Sequence, residues 1–121
     1  MSNNSNLANS VQTFDLRKGE DYVLEFTSVS DLNIADFTFS FAVKKSTKRE
    51  DQALDIEKTL DDGITVTDET IGTLEVQLDS ADTQSLVSGI YDFELWRTDT
   101  GNKKLLAFGT INLMKSIKTF T

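Results

Sequence analysis

From Val11 onward the apolar side chains of this chain fall at every second position, and that period constrains the fold more than any other feature. Successive side chains of an extended strand point to opposite faces, so this alternation marks a sheet with one buried face. The segment Phe37-Thr38-Phe39-Ser40-Phe41-Ala42-Val43 carries Phe or Val at every odd position and small residues at the even ones. Phe37, Phe39 and Phe41 are therefore expected in the core. Phe14 and Leu16 mark a short first strand. Tyr22, Leu24 and Phe26 mark a second, after a turn at Arg17-Lys18-Gly19-Glu20. Leu54 and Ile56, then Ile64 and Val66, alternate more weakly around Asp61-Asp62-Gly63. Leu74, Val76 and Leu78 follow Gly72 as a strong strand. Tyr91, Phe93 and Leu95 form another, expected on a strand facing or neighbouring that of Phe39. Asp99-Thr100-Gly101-Asn102 reads as a hairpin turn into a last strand over residues 104–113, where Gly109 predicts a bulge or the close approach of another backbone. Only residues 79–86 suggest helix: one short turn capped by Asp79 or Ser80 and ended by Gly89.

Seven or eight short strands with short connections predict an all-β, antiparallel β-sandwich, with a closed barrel as the alternative. The length of 121 residues is that of one domain. Residues 1–11 read as a flexible polar arm, 12–114 as the sandwich and 115–121 as a tail. The chain contains no His, Cys or Pro. That excludes disulfides, thiolate metal sites and nucleophilic triads built on His or Cys. The absence of Cys and the position of the single Trp also separate the chain from antibody-type domains. A net charge of −8 argues against nucleic acid as a partner. No apolar run approaches the ~20 residues of a membrane-spanning helix, so no membrane partner is expected. The first residues lack the basic and apolar regions of a secretory signal. The protein is therefore expected to be made and kept in a cytoplasm, or packed there into something larger.

Few residues stand out for chemistry. Trp96 shares its strand face with Asp92 and Glu94 rather than with Tyr91, Phe93 and Leu95, which makes it a candidate contact residue. Val23, beside Glu25, is similarly placed. Phe120 in the tail either tucks back or anchors a neighbour. Lys44, Lys45, Lys48 and Arg49 form a basic knot followed by an acidic run from Asp51 to Glu69. It reads as a solvated loop or as a charge-complementary contact with another copy or a partner. Asp61, Asp62 and Asp68 bracket a loop and offer oxygens to Ca²⁺, but their spacing is not that of an EF-hand and turns favour Asp without metal. No carboxylate pair is singled out as in a glycosidase. No enzyme activity, metal or cofactor is expected.

Asp82-Thr83, Leu86, Gly89, Tyr91, Phe93 and Leu95, followed by the strand LLAFGTINL, form a recognisable pattern. Together with FTFSFAVKK and ITVTDETIGTLEVQL in the same order, over residues 12–114, it resembles the Ig-like β-sandwich domain of tailed-phage structural proteins. The N-terminal domain of baseplate upper proteins is the best-known member. The resemblance implies an Ig-like sandwich and a non-enzymatic virion component of a tailed bacteriophage, made in the host bacterial cytoplasm. It would act in the tail, baseplate, neck or capsid surface through assembly with copies of itself and other virion proteins. Baseplate upper proteins continue into a helical linker and receptor-binding modules. A chain ending at Thr121 suits an adaptor, ring or decoration protein instead. A carbohydrate-binding or adhesion module is the alternative, with Trp96 and Tyr22 or Tyr91 as its ring platform.

Overall fold

A computed structural model describes residues 10–27, 29 and 33–117. Its strands are β1 (Ser10–Arg17), β2 (Tyr22–Phe26), β3 (Phe39–Lys45), β4 (Ile56–Leu60), β5 (Gly63–Asp68), β6 (Thr73–Leu78), β7 (Gly89–Arg97) and β8 (Lys104–Met114). One short helix, α1 (Ser80–Gln84), joins β6 to β7. Hydrogen bonding runs continuously in the order β1-β8-β7-β3-β4-β5-β6-β2. The β4–β5 seam is thin, with only Thr59–Gly63 and Leu60–Ile64 paired. Here the sheet folds over on itself. Phe14 in β1 and Phe26 in β2 come from opposite ends of the strand order, yet their rings meet edge to face at 5.9 Å. The result is a sandwich with β1, β8, β7, β3 and β4 in one layer and β5, β6 and β2 in the other.

The alternation read from the sequence sets what fills the space between the layers. Phe39, Phe41 and Val43 of β3 are buried, as are Tyr91, Phe93 and Leu95 of β7, and Phe37 just before β3 joins them. The two strands are hydrogen-bonded neighbours, with Phe41 opposite Leu95 and Val43 opposite Phe93. Phe93 is the hub: its ring lies 5.4 Å from Phe14, 5.6 Å from Phe41 and 6.1 Å from Phe26. Offset and tilted ring pairs at such distances add to the gain from burial alone.

Three details differ from expectation. Not every pairing is antiparallel: β1 runs parallel to β8 along its whole length, and the β4–β5 seam is also parallel. Short connections favour antiparallel pairing between consecutive strands, and β1 and β8 are far apart in sequence. β4 and β5 are consecutive, and their parallel contact is confined to the two pairs flanking the Asp61-Asp62 turn, where Asp61 has φ +64°. The first strand starts at Ser10, inside the segment expected to be an arm, because backbone pairing with Ala107 and Phe108 holds it without any apolar side-chain pattern. Leu54 stands 42% exposed, and its strand begins only at Ile56. At Gly109 the close approach is real. A Cβ there would run into the Gln12 carbonyl of β1. A bulge also exists, but earlier in β8. Leu95 pairs with Ala107 while Trp96 pairs with Leu105, leaving Leu106 as the extra residue.

Candidate functional site

The recognisable sequence pattern maps onto one corner of the sandwich. Asp82 accepts the backbone N–H of Asp79 at 2.7 Å, and its carboxylate meets the Lys58 ammonium at 2.8 Å. Thr83 is buried and its hydroxyl accepts the Gly19 N–H at 2.9 Å, which ties α1 to the β1–β2 turn. Leu86 packs against the core. Gly89 has φ +142°, and a Cβ there would meet the Lys45 ammonium. The Tyr91 hydroxyl donates to the Val87 carbonyl at 2.7 Å. Burial, and then the negative charge of Asp55, raise the Tyr91 pKa above its ordinary value. A tyrosine held this way at the entry to its strand is a recurrent lock of Ig-like sandwiches. In antibody domains the residue two places further on is a disulfide cysteine. Here it is Phe93, and its contact with Phe26 of β2 bridges the layers instead. The fold alone therefore accounts for every position of the pattern.

The surface that the fold does not use lies on the outside of the larger layer. Residues paired across antiparallel strands share a face, so Trp96, Glu94 and Asp92 of β7 stand beside Ser40, Ala42 and Lys44 of β3. On the other side the register sets Trp96 beside Leu105 and Glu94 beside Phe108. Trp96, Leu105 and Phe108 are all half-buried, and Glu94 is exposed. The indole N–H of Trp96 donates to Glu94 Oε1 at 2.8 Å, which ties the ring to the adjacent carboxylate. Strand parity thus places Trp96 as expected, since the bulge falls on β8 rather than β7. That same bulge turns both Leu106 and Ala107 inward and leaves Phe108 outward.

The basic knot is spread over several tasks. Lys48 forms a 2.7 Å ion pair with the largely buried carboxylate of Asp55, which also accepts the Lys45 backbone N–H at 2.7 Å. Lys44 reaches the carbonyls of Arg49 and Glu50 at 3.2 and 3.0 Å. Lys45 contacts the Ser88 carbonyl at 3.3 Å and sits 5.0 Å over the Tyr91 ring. Arg49 is exposed and pairs with exposed Asp51 at 3.3 Å. The loop closed by these bonds stands beside β3 and β7 and makes an open groove of about 300 Å³, lined by Ala42, Lys44, Lys48, Leu54, Asp92 and Glu94 among others. Among the described residues neither Lys44 nor Lys45 forms an ion pair with a carboxylate, and neither Asp92 nor Glu94 with a cation. Asp92 instead accepts the Ser46 hydroxyl at 3.2 Å.

Val23 is half exposed on the other layer. Phe120 lies outside the described residues. Asp61 and Asp62 lie in the β4–β5 turn, Asp61 with φ +64°, whereas Asp68 caps the next turn by accepting the N–H groups of Thr70 and Ile71. The length of β5, roughly 16 Å at the usual rise per residue, separates Asp68 from the other two. The three do not share one Ca²⁺ coordination sphere.

No family model matches the chain, and no curated protein does. Among solved structures, a Bacteroides vulgatus protein assigned provisionally as a glycoside hydrolase aligns at 16% identity and a TM-score of 0.49. The alignment covers 87% of this chain, which spans only 17% of that one. A VGSC β-subunit structure, from work on multimeric cell-adhesive interactions, aligns at 17% identity and a TM-score of 0.45, covering 89% of this chain and 93% of that one. Neither likeness bears on function.

Proposed function

We propose that this chain is a non-enzymatic assembly module of a tailed-phage virion, in which many copies dock on one another or on other virion proteins. One observation carries the reading: Trp96, Leu105 and Phe108, each only partly buried, share the outer face of the larger layer. In an isolated sandwich, aromatic rings on an outer face leave part of their apolar surface in water, which a partner can cover. Trp in particular is enriched where interfaces concentrate their energy. The sequence resemblance to phage Ig-like domains supplies the setting. Mass spectrometry of phage particles purified from a culture carrying the gene tests it. Recovery in many copies per particle supports the reading, and absence from washed particles refutes it.

The groove beside Glu94 favours a second reading, saccharide binding, since neighbouring carboxylate and ammonium groups can bind sugar hydroxyls in a cleft of that size. Binding on a glycan array that is abolished by Asp92→Ala would select it.

A further inference from the structure

We infer that the partner of this face is a second copy of the chain, docked through a two-fold axis that runs along the strands between β3 and β7. The inference rests on the assembly reading above and names its first contact. The argument is one of self-complementarity, which a two-fold interface requires because the same patch meets itself.

β3 and β7 present opposite characters in matching rows. Lys44 stands beside Asp92, Ala42 beside Glu94, and Ser40 beside Trp96. A two-fold axis between the strands lays β7 of each copy over β3 of the other while keeping the rows. Each Lys44 then faces the second copy's Asp92, and each Trp96 faces the low surface left by the second copy's Ser40. One row further, Ile90 is 47% exposed at the start of β7, and Leu54 is 42% exposed at the rim of the groove beside β3. The same operation brings these two apolar side chains together. Lys44 and Asp92 have no ion-pair partner within the described residues. Their cross-copy pairing neutralises charge that the isolated domain leaves open. The area also suffices. The axis overlays four strands, β8, β7, β3 and β4, on their mates, and at ~4.8 Å spacing and about eight residues long they share a face of roughly 500 Å² in plan. Side-chain relief brings the accessible area toward the ~800 Å² per partner of a standard interface.

The test uses charge reversal read by sedimentation and light scattering. Wild-type protein should pass from monomer to dimer mass as concentration rises. Lys44→Glu sets carboxylate against carboxylate at two symmetric places, and Asp92→Lys sets ammonium against ammonium. Each variant alone should therefore dimerise at least tenfold more weakly. Mixing the two variants restores both opposite-charge contacts, so a 1:1 heterodimer should form at concentrations where neither variant alone self-associates. Circular dichroism checks that both variants fold, because Lys44 also holds the loop after β3. Ile90→Lys, at an exposed site outside that loop, should weaken the dimer without touching the fold. A dimer indifferent to all three substitutions, or single variants that fail to rescue each other on mixing, overturns the inference. So does a wild type that stays monomeric at every concentration. If such a monomer is still recovered in particles, the assembly reading stands and only the second copy as partner fails.

Discussion

Replacing Gly109 by Ala tests the packing of the first strand against the last. The added methyl points at the Gln12 carbonyl, a backbone atom that no rotamer change can move aside. Two responses are open. If β1 shifts by a few tenths of an ångström, the cost is that of ordinary overpacking, about 1–3 kcal/mol. If β1 leaves β8, Phe14 and Leu16 lose their burial, and both are only 1% exposed in the native fold. At ~1.5–3 kcal/mol for each fully buried side chain, full release costs ~3–6 kcal/mol, close to the whole stability of a marginal domain. Urea unfolding separates the two. A shift lowers the midpoint and keeps the slope, whereas release also lowers the slope, since less surface remains to be exposed. Hydrogen exchange of residues 12–17 reports the same choice directly. A loss under about 0.5 kcal/mol, typical of surface sites, with β1 amides still protected, would refute the close approach.

Three further outcomes follow from single contacts. Tyr91→Phe removes the hydroxyl bonded to Val87, whose carbonyl lies on an exposed residue and can turn to water, so thermal unfolding should show a loss of ~1 kcal/mol. A much larger loss would mean that the corner does more than fasten one turn. Asp99 is held down to about 2, first by its side-chain hydrogen bonds from Arg97 at 2.8 and 2.9 Å. A depressed carboxylate stabilises the fold above its unfolded value near 3.8, and that contribution is lost as pH falls toward 2. Asp99→Asn should therefore flatten the acid limb of the stability profile in that window, and an unchanged limb contradicts the pairing. Thr73 is buried with no hydrogen-bond partner for its hydroxyl among the described residues. Thr73→Val should leave stability unchanged or raise it by ~1 kcal/mol, and a clear loss by denaturant titration would reveal a partner.

The fold was legible in the sequence wherever side chains alternate over a buried face. Phe37 to Val43 and Tyr91 to Leu95 illustrate this, because period two needs no knowledge of the partner strand. The parallel pairing of β1 was hidden, since alternation says which face is buried and not which neighbour is bonded. Ser10 and Val11 were hidden for the same reason. Of the candidate site, Trp96 was found by parity, but Leu105 and Phe108 were not. An extra residue at Leu106 reverses parity within β8; Gly109 offers a bulge or a close approach in this strand, but not where a bulge would fall. The basic knot looked like one patch because charge is visible in sequence and hydrogen bonding is not. Its lysines divide between Asp55, loop carbonyls and the Tyr91 ring. The pattern that resembles phage domains is built from the corner residues Asp82, Thr83, Gly89 and Tyr91, so it speaks first of the fold and only through kinship of function.

The proposed virion role of the outer face is tested most directly by competition between wild-type protein and Trp96→Ala, co-expressed in cells producing the phage to which the proposal assigns the chain. Mass spectrometry gives the ratio of the two forms in purified particles and in the folded soluble pool. A hot-spot truncation costs ~2 kcal/mol or more, about thirtyfold in affinity. Particles should therefore be enriched in wild type by about that factor, with the melting temperature of the variant nearly unchanged. Equal incorporation of a folded variant would contradict the account. So would a variant that unfolds yet enters particles in proportion to its folded fraction, which would make Trp96 a packing residue.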